Sequence, residues 1–319
     1  MPTTVTKTVK SSGGDYTSLS AWEAGQQADI VTADQIQQAE CYTMTDTAQC
    51  VINGWTTDAT RYIRIYTPAS ERHAGVWTTG KYNLDDAGDW EGQLGIYEDY
   101  ARLEGLQIRN TGANNPYVVA ILASAGEVRI STCILRGGSD GINADGVGAG
   151  TLKAWDNLIY DGSGTGVRRF RAAADGTVIL YNNTICDTSG NQIYIQNCTT
   201  LKIKNNATQG VISANYSLLG VTTQTSATNL SEDATSPETG LRNKVISFVD
   251  ETGDNFHLAS GDTVAKDAGT DLSADADLAF SDDIDGETRS GSWDIGADEV
   301  IAAAAAGGFA NYQCLLGVT

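Results

Sequence analysis

The sequence predicts an all-β chain wound as a right-handed single-stranded parallel β-helix, a solenoid with an N-terminal capping helix and an extended C-terminal tail. Three observations predict it. The 319 residues hold 35 glycines and only 4 prolines, a balance that suits many turns built on Gly, Asn and Asp better than long helices. A unit of about 25 residues repeats with no room for a long helix. Within that unit one position becomes a column of asparagines.

Five segments align without gaps: LEGLQIRN from Leu103, ISTCILRG from Ile130, AWDNLIYD from Ala154, LYNNTICD from Leu180 and IKNNATQG from Ile203, at spacings of 27, 24, 26 and 23 residues. The first column (Leu103, Ile130, Ala154, Leu180, Ile203) and the sixth (Ile108, Leu135, Ile159, Ile185, Thr208) are almost wholly apolar, as inward-facing positions must be. The second column (Glu104, Ser131, Trp155, Tyr181, Lys204) reads as a solvent face. The fourth ends in Asn157, Asn183 and Asn206. Stacked at the strand spacing of about 4.8 Å, these amides can hydrogen-bond up the stack as a ladder. Asn also tolerates the left-handed backbone that sharp corners need.

Upstream, Arg61–Tyr66 alternates as a strand does, and so does the stretch through Tyr100–Leu103. Residues 17–28 (TSLSAWEAGQQA) read as the one clear short helix, capped by Thr17 or Ser18, with Leu19 and Trp22 facing the core. Such a helix would cover the bottom of the solenoid, where an open strand edge invites aggregation. The chain divides as 1–94 for the cap and first coils, 95–299 for the β-helix and its closing coil, and 300–319 for an uncharged tail.

The net charge of −20 argues against nucleic acid and against an acidic membrane surface. One cluster, Arg168-Arg169-Phe170-Arg171, interrupts the acidity. It can meet an acidic partner or a sugar acid, or simply pair with nearby carboxylates. The first residues hold no apolar core of signal-peptide length, so synthesis and folding in a cytoplasm are expected. The six cysteines lack CxxC spacing, which points to free buried thiols rather than zinc or disulfides.

Two stretches resemble pectate-lyase-like β-helix proteins: SSGGDYTSLSAWEA from Ser11, and DNFHLASGDTVAKDAG followed by DIDGETRSGSWDIGADE across 254–299. The resemblance implies the fold and says almost nothing about activity. GGDYTSLSAWEA, AECY, INGWTTDATRYIRIYTPASERHAGVW and DYARLEGLQIRN are similar to virion proteins of tailed bacteriophages, which implies a place in a phage particle.

Many β-helices cleave polysaccharide. Asn143-Ala144-Asp145-Gly146 resembles the N-T-D-G of polygalacturonase-type enzymes, but no paired Asp follows one coil later and no Gly-His-Gly appears. His73 and His257 lie far from it in sequence, and His257 reads as structural. Asp145 reads as a turn residue. The run Asp282, Asp283, Asp285, Glu287 offers a weak calcium site near Asp283 and Asp285; without full calcium-loop spacing, the preferred reading is a turn in which Asp285 pairs with Arg289. Arg168, Arg169 and Arg171 have no nameable catalytic partner. Asp140, Asp145, Asp156, Asp161 and Asp175 are available to a hydrolase, and none stands out, so no catalytic residue is assigned.

Residues 300–318 carry no charge. Length alone would allow a membrane span, but Ala and Gly dominate and Asn311 and Gln313 interrupt. A linker followed by a docking peptide fits better, with Phe309, Tyr312, Leu315 and Leu316 as anchors. The functional expectation is a non-enzymatic virion protein, first a capsid decoration protein. Its partners would be other virion proteins such as the major capsid protein, further copies of itself (a trimer for preference) and a host glycan. The alternatives are a tailspike or fibre that binds or cuts polysaccharide, and a secreted adhesin.

Overall fold

A computed structural model describes residues 1–112, 117–210 and 213–301. Its described residues form a parallel β-helix of about eight turns. Each turn visits three sheets. The first runs from Thr3–Val9 through Gln35–Cys41, Ile63–Tyr66, Ala101–Glu104, Glu127–Ser131 and Thr151–Trp155 to Thr223–Ala227. The second has eight strands, from Thr45–Asp46 to Leu230–Ser231. The third runs from Cys50–Ile52 to Tyr216–Leu219, and two long strands, Val167–Tyr181 and Ile193–Lys204, turn the corner and join it to the first.

The register of the aligned segments is the register of the sheets. Leu103 pairs with Ile130, then Ala154, Leu180 and Ile203 in the first sheet. Ile108, Leu135, Ile159, Ile185 and Thr208 pair in the second. These columns fill the core with fully buried side chains, which fixes register because a one-residue slip would turn them outward.

Two expectations about the columns are corrected. The left-handed corner is not at the asparagine ladder but one residue before it: Gly105, Thr132, Asp156, Asn182, Asn205 and Thr228 all have φ between +49° and +67°. Short polar side chains and glycine tolerate that region best. The second column is outward-facing but not uniformly solvated: Ser131 and Tyr181 are buried. Residues 254–299, expected to close the top, instead run as a strap along the outside of the solenoid. The strap's Leu272, Leu278 and Trp293 cover Tyr181, and Asn182 Nδ2 donates to the carbonyls of Asp294 (3.3 Å) and Gly296 (3.0 Å).

The helix spans Leu19–Gln26. Ser18 caps it, its Oγ accepting the Ala21 N–H at 3.1 Å, and the Leu19 N–H donates to Asp46 at 2.6 Å. Trp22 stacks on Trp55 with ring centroids 5.6 Å apart, so the helix seals the core. The open edge of the first sheet is a strand the sequence reading missed, Thr3–Val9, whose TTVTKTV pattern is mostly polar, a composition that discourages edge-to-edge pairing.

Candidate functional site

Asn157, Asn183 and Asn206 stack within the core, and Asn229 extends the stack. Nδ2 of Asn157, Asn183 and Asn206 each donates to Oδ1 of the next asparagine at 2.9, 3.0 and 2.8 Å. The stack ends on Glu238, whose Oε2 accepts both the backbone N–H and Nδ2 of Asn229 at 3.0 Å. This is scaffold, not a site.

The Arg168–Arg171 cluster is committed internally. Arg168 bridges Asp140 (3.4 Å) and Asp145 (3.1 Å). Arg171 pairs with Asp175 at 3.1 Å. Arg169 is fully buried, bonded to Asp175 at 2.5 Å and to four backbone carbonyls. Asp145 sits in a turn, and its Oδ1 accepts the Phe170 N–H at 2.6 Å. Asp161 pairs with Arg136 at 2.9 Å.

The acidic run near 283 is arranged differently from expectation. Asp285 does not pair with Arg289; it meets His257 Nε2 at 2.9 Å. Arg289, wholly buried, instead bonds Asp156 (2.8 Å) and Glu299 (3.2 Å). Asp283 accepts the N–H groups of Asp285 (3.0 Å), Glu287 (2.8 Å) and Glu299 (3.2 Å), so its oxygens organise the turn and are poorly placed to hold calcium. Burial pushes Asp283 up to about 6 and Asp298 up to about 7. His257, Asp285 and Asp298 form the one His–carboxylate group among the described residues able to hold a metal. His73 is buried against the Thr132 carbonyl at 2.9 Å. Cys41, Cys50, Cys133, Cys186 and Cys198 are free and buried. Phe309, Tyr312, Leu315 and Leu316 lie outside the described residues, as does the uncharged stretch after Ile301; no helix among the described residues is long and apolar enough to cross a membrane.

The structure places an unpredicted feature on the outer surface of the first sheet. Arg64, Arg102, Arg129 and Lys153 occupy one register row of four adjacent strands. They are therefore about 4.8 Å apart, in a protein of charge −20. Like charges facing each other across strands are unfavourable. Two carboxylates relieve part of this: Glu104 holds Arg64 Nε at 2.9 Å, and Glu127 bridges Arg129 and Lys153. Arg102 and Arg72 have no ion pair among the described residues. Arg102 lies over the Tyr62 ring, 3.4 Å from its centroid; burial and then the charge of Arg129 push its guanidinium below its ordinary value. Arg72 Nε is buried with no hydrogen-bond partner. Arg64, Arg72, Arg102 and Arg129 line a groove of about 420 Å³, walled by Trp155 on the sheet and by Phe280 and Asp282 on the strap. That size is within the range of small-ligand sites.

A larger groove of about 620 Å³ lies at the corner holding Glu98 and Asp99. Its carboxylates are engaged: Asp99 Oδ1 accepts from Ser124 Oγ (3.2 Å), Ala125 N (2.6 Å) and Gly126 N (2.8 Å), and Glu98 accepts the Trp55 N–H at 2.7 Å. The cationic groove is the better candidate because its donors outnumber their partners.

One signal could have revealed it. Extending the five-segment alignment one residue towards the N-terminus reads Arg102, Arg129, Lys153, Ile179, Lys202.

No family model matches the sequence, and no curated protein matches it. Among solved structures, the crystal structure of pectate lyase Pel9A is similar at 13% identity with a TM-score of 0.46, over 94% of this chain and 97% of that one.

Proposed function

We propose that this chain is a non-enzymatic structural protein on the outside of a tailed-bacteriophage particle, where its first sheet holds an acidic surface glycan. The observation that carries the binding role is the row Arg64, Arg102, Arg129, Lys153 beside Trp155 and Phe280, where Arg102 and the nearby Arg72 have no ion pair among the described residues. Guanidinium forks recognise carboxylate and phosphate, and aromatic walls suit sugar faces. Support for the particle comes from the likeness of the N-terminal third to phage virion proteins. In this reading a decoration position on the capsid lattice is first, with the major capsid protein as neighbour and a side-by-side trimer as the assembly.

The carboxylates beside the grooves support binding over cleavage. Asp99, Asp140 and Asp145 accept backbone N–H groups at 2.6–3.0 Å, which commits these three carboxylates to fixing loops. The alternative, a polysaccharide-cutting tailspike, is favoured only by Asp140, which burial raises, lying across Arg168 from Asp145. Gold-labelled antibody on purified particles tests the placement. Label over the capsid lattice is expected; label at the tail tip, together with release of reducing sugar from host polysaccharide, would transfer the case to the tailspike, and particles without label would sink both.

A further inference from the structure

We infer that His257, Asp285 and Asp298 bind one divalent transition-metal ion of the zinc–manganese class, held between their three side chains beside Gly75. A ligand atom from each residue lies within 4.8 Å of the other two, close enough for one ion to touch all three. They come from three separate stretches of the strap: the strand Asn255–Leu258, the turn at 283–286, and the segment after Ile295.

The second observation is the cradle. A Cβ on Gly75 would stand 2.3 Å from His257 Nε2 and 2.5 Å from Asp285 Oδ1. Any side chain there would displace both ligand atoms, so only glycine lets the chain pass this close to them. Gly75 also has φ of +62°, a backbone that glycine adopts without strain. Asp285 Oδ1 is buried with no hydrogen-bond partner, and an ion would supply one. Asp298 Oδ2 accepts the Leu258 N–H at 2.7 Å, and its other oxygen has no hydrogen bond among the described residues.

The surroundings also select the ligating nitrogen. His257 Nδ1 lies 2.6 Å from Asn255 Oδ1. With Nδ1–H donating there, the outer-shell arrangement typical of metal-binding histidines, an ion would displace the proton that Nε2 shares with Asp285 Oδ2 across 2.9 Å. One imidazole and two carboxylates suit zinc or manganese better than calcium, which favours an all-oxygen shell. The bound ion would staple three stretches of the strap to one another.

The test uses the full chain, stripped with a chelator and titrated calorimetrically with Zn²⁺, Mn²⁺ and Ca²⁺ in turn. The expected result is one zinc or manganese ion per chain, proton release on binding, and a Tm rise of about 5 °C at a hundredfold excess over Kd. Asp298→Asn keeps an oxygen for the Leu258 N–H, and His257→Gln keeps a polar side chain. Both should fold, by circular dichroism, and each should lose more than about a hundredfold in affinity, beyond the roughly 10–100-fold that a supporting residue costs. Absence of saturable zinc and manganese binding would overturn the site. So would unchanged affinity in both variants, which would put the ion elsewhere, or calcium binding more tightly than either metal.

Discussion

Replacing Asn183 by alanine interrupts the asparagine ladder in mid-column. Asn183 Oδ1 accepts the Asn157 backbone N–H (3.2 Å) and Asn157 Nδ2 (2.9 Å). Its Nδ2 donates to the Ala154 carbonyl (2.9 Å) and to Asn206 Oδ1 (3.0 Å). Asn157 is fully buried, so truncation strands two of its donors away from water. At about 1–3 kcal/mol for each stranded group, the loss is about 4 kcal/mol. Asn157→Ala strands a single donor, the Cys133 N–H, which donates to Asn157 Oδ1 at 3.0 Å, and should cost about half as much. Thermal unfolding followed by circular dichroism at one scan rate checks this; at about 2 °C per kcal/mol the two variants should fall by about 8 and 4 °C. Equal shifts, or losses under about 1 kcal/mol in both, would refute the reasoning, because the ladder would then not act as a continuous hydrogen-bonded column.

Two further outcomes follow from the strap and the buried histidine. Arg289→Leu leaves Asp156 as an unpaired carboxylate in the interior, where burial already raises it well above its usual range; the expected cost is about 3–5 kcal/mol, partly recovered by adding Asp156→Asn, and thermal unfolding of the single and double variants reads it. Burial lowers His73 to about 4, so between about pH 6.5 and 4 the unfolded chain binds a proton that the folded chain refuses, and stability must fall as pH falls, by up to about 3 kcal/mol. Asp283 and Asp298, raised to about 6 and 7, act in the opposite sense, losing stability as pH rises through the same window. The His73 contribution is therefore read as the difference between wild type and His73→Gln in urea titrations at pH 4.5 and 7, and a difference independent of pH would contradict it.

The solenoid was legible because its core repeats. Two apolar columns and one asparagine column name the pairing register from Leu103 to Gly210. The repeat is obscured upstream because the turn holding Ile65 carries an insertion before Asn83, including the short helix Ala69–Glu71. It is obscured downstream because Ser226 and Ser231 replace the apolar columns while Asn229 keeps the ladder. The strap was not legible: its contacts, such as Asp156 with Arg289 and Lys204 with Asp275 at 2.5 Å, join residues far apart in sequence and obey no period. The same limit explains the Asp285–Arg289 expectation, where nearness in sequence stood in for nearness in space. The cationic row lay one column outside the aligned segments, and the metal cradle depends on a missing side chain at Gly75, which no local pattern announces.

The central claim is that the row around Arg102 binds acidic glycan without cutting it. Calorimetric titration of the full chain with an oligogalacturonate, and with its methyl ester as the uncharged counterpart, tests this most directly. Saturable binding of the acid, little binding of the ester, and about tenfold weaker binding by Arg102→Ala are predicted, the last corresponding to one charge-assisted contact of about 1.4 kcal/mol. The oligosaccharide should be recovered at its original length. Equal binding of acid and ester, unchanged affinity in Arg102→Ala, or shortened product would contradict the account.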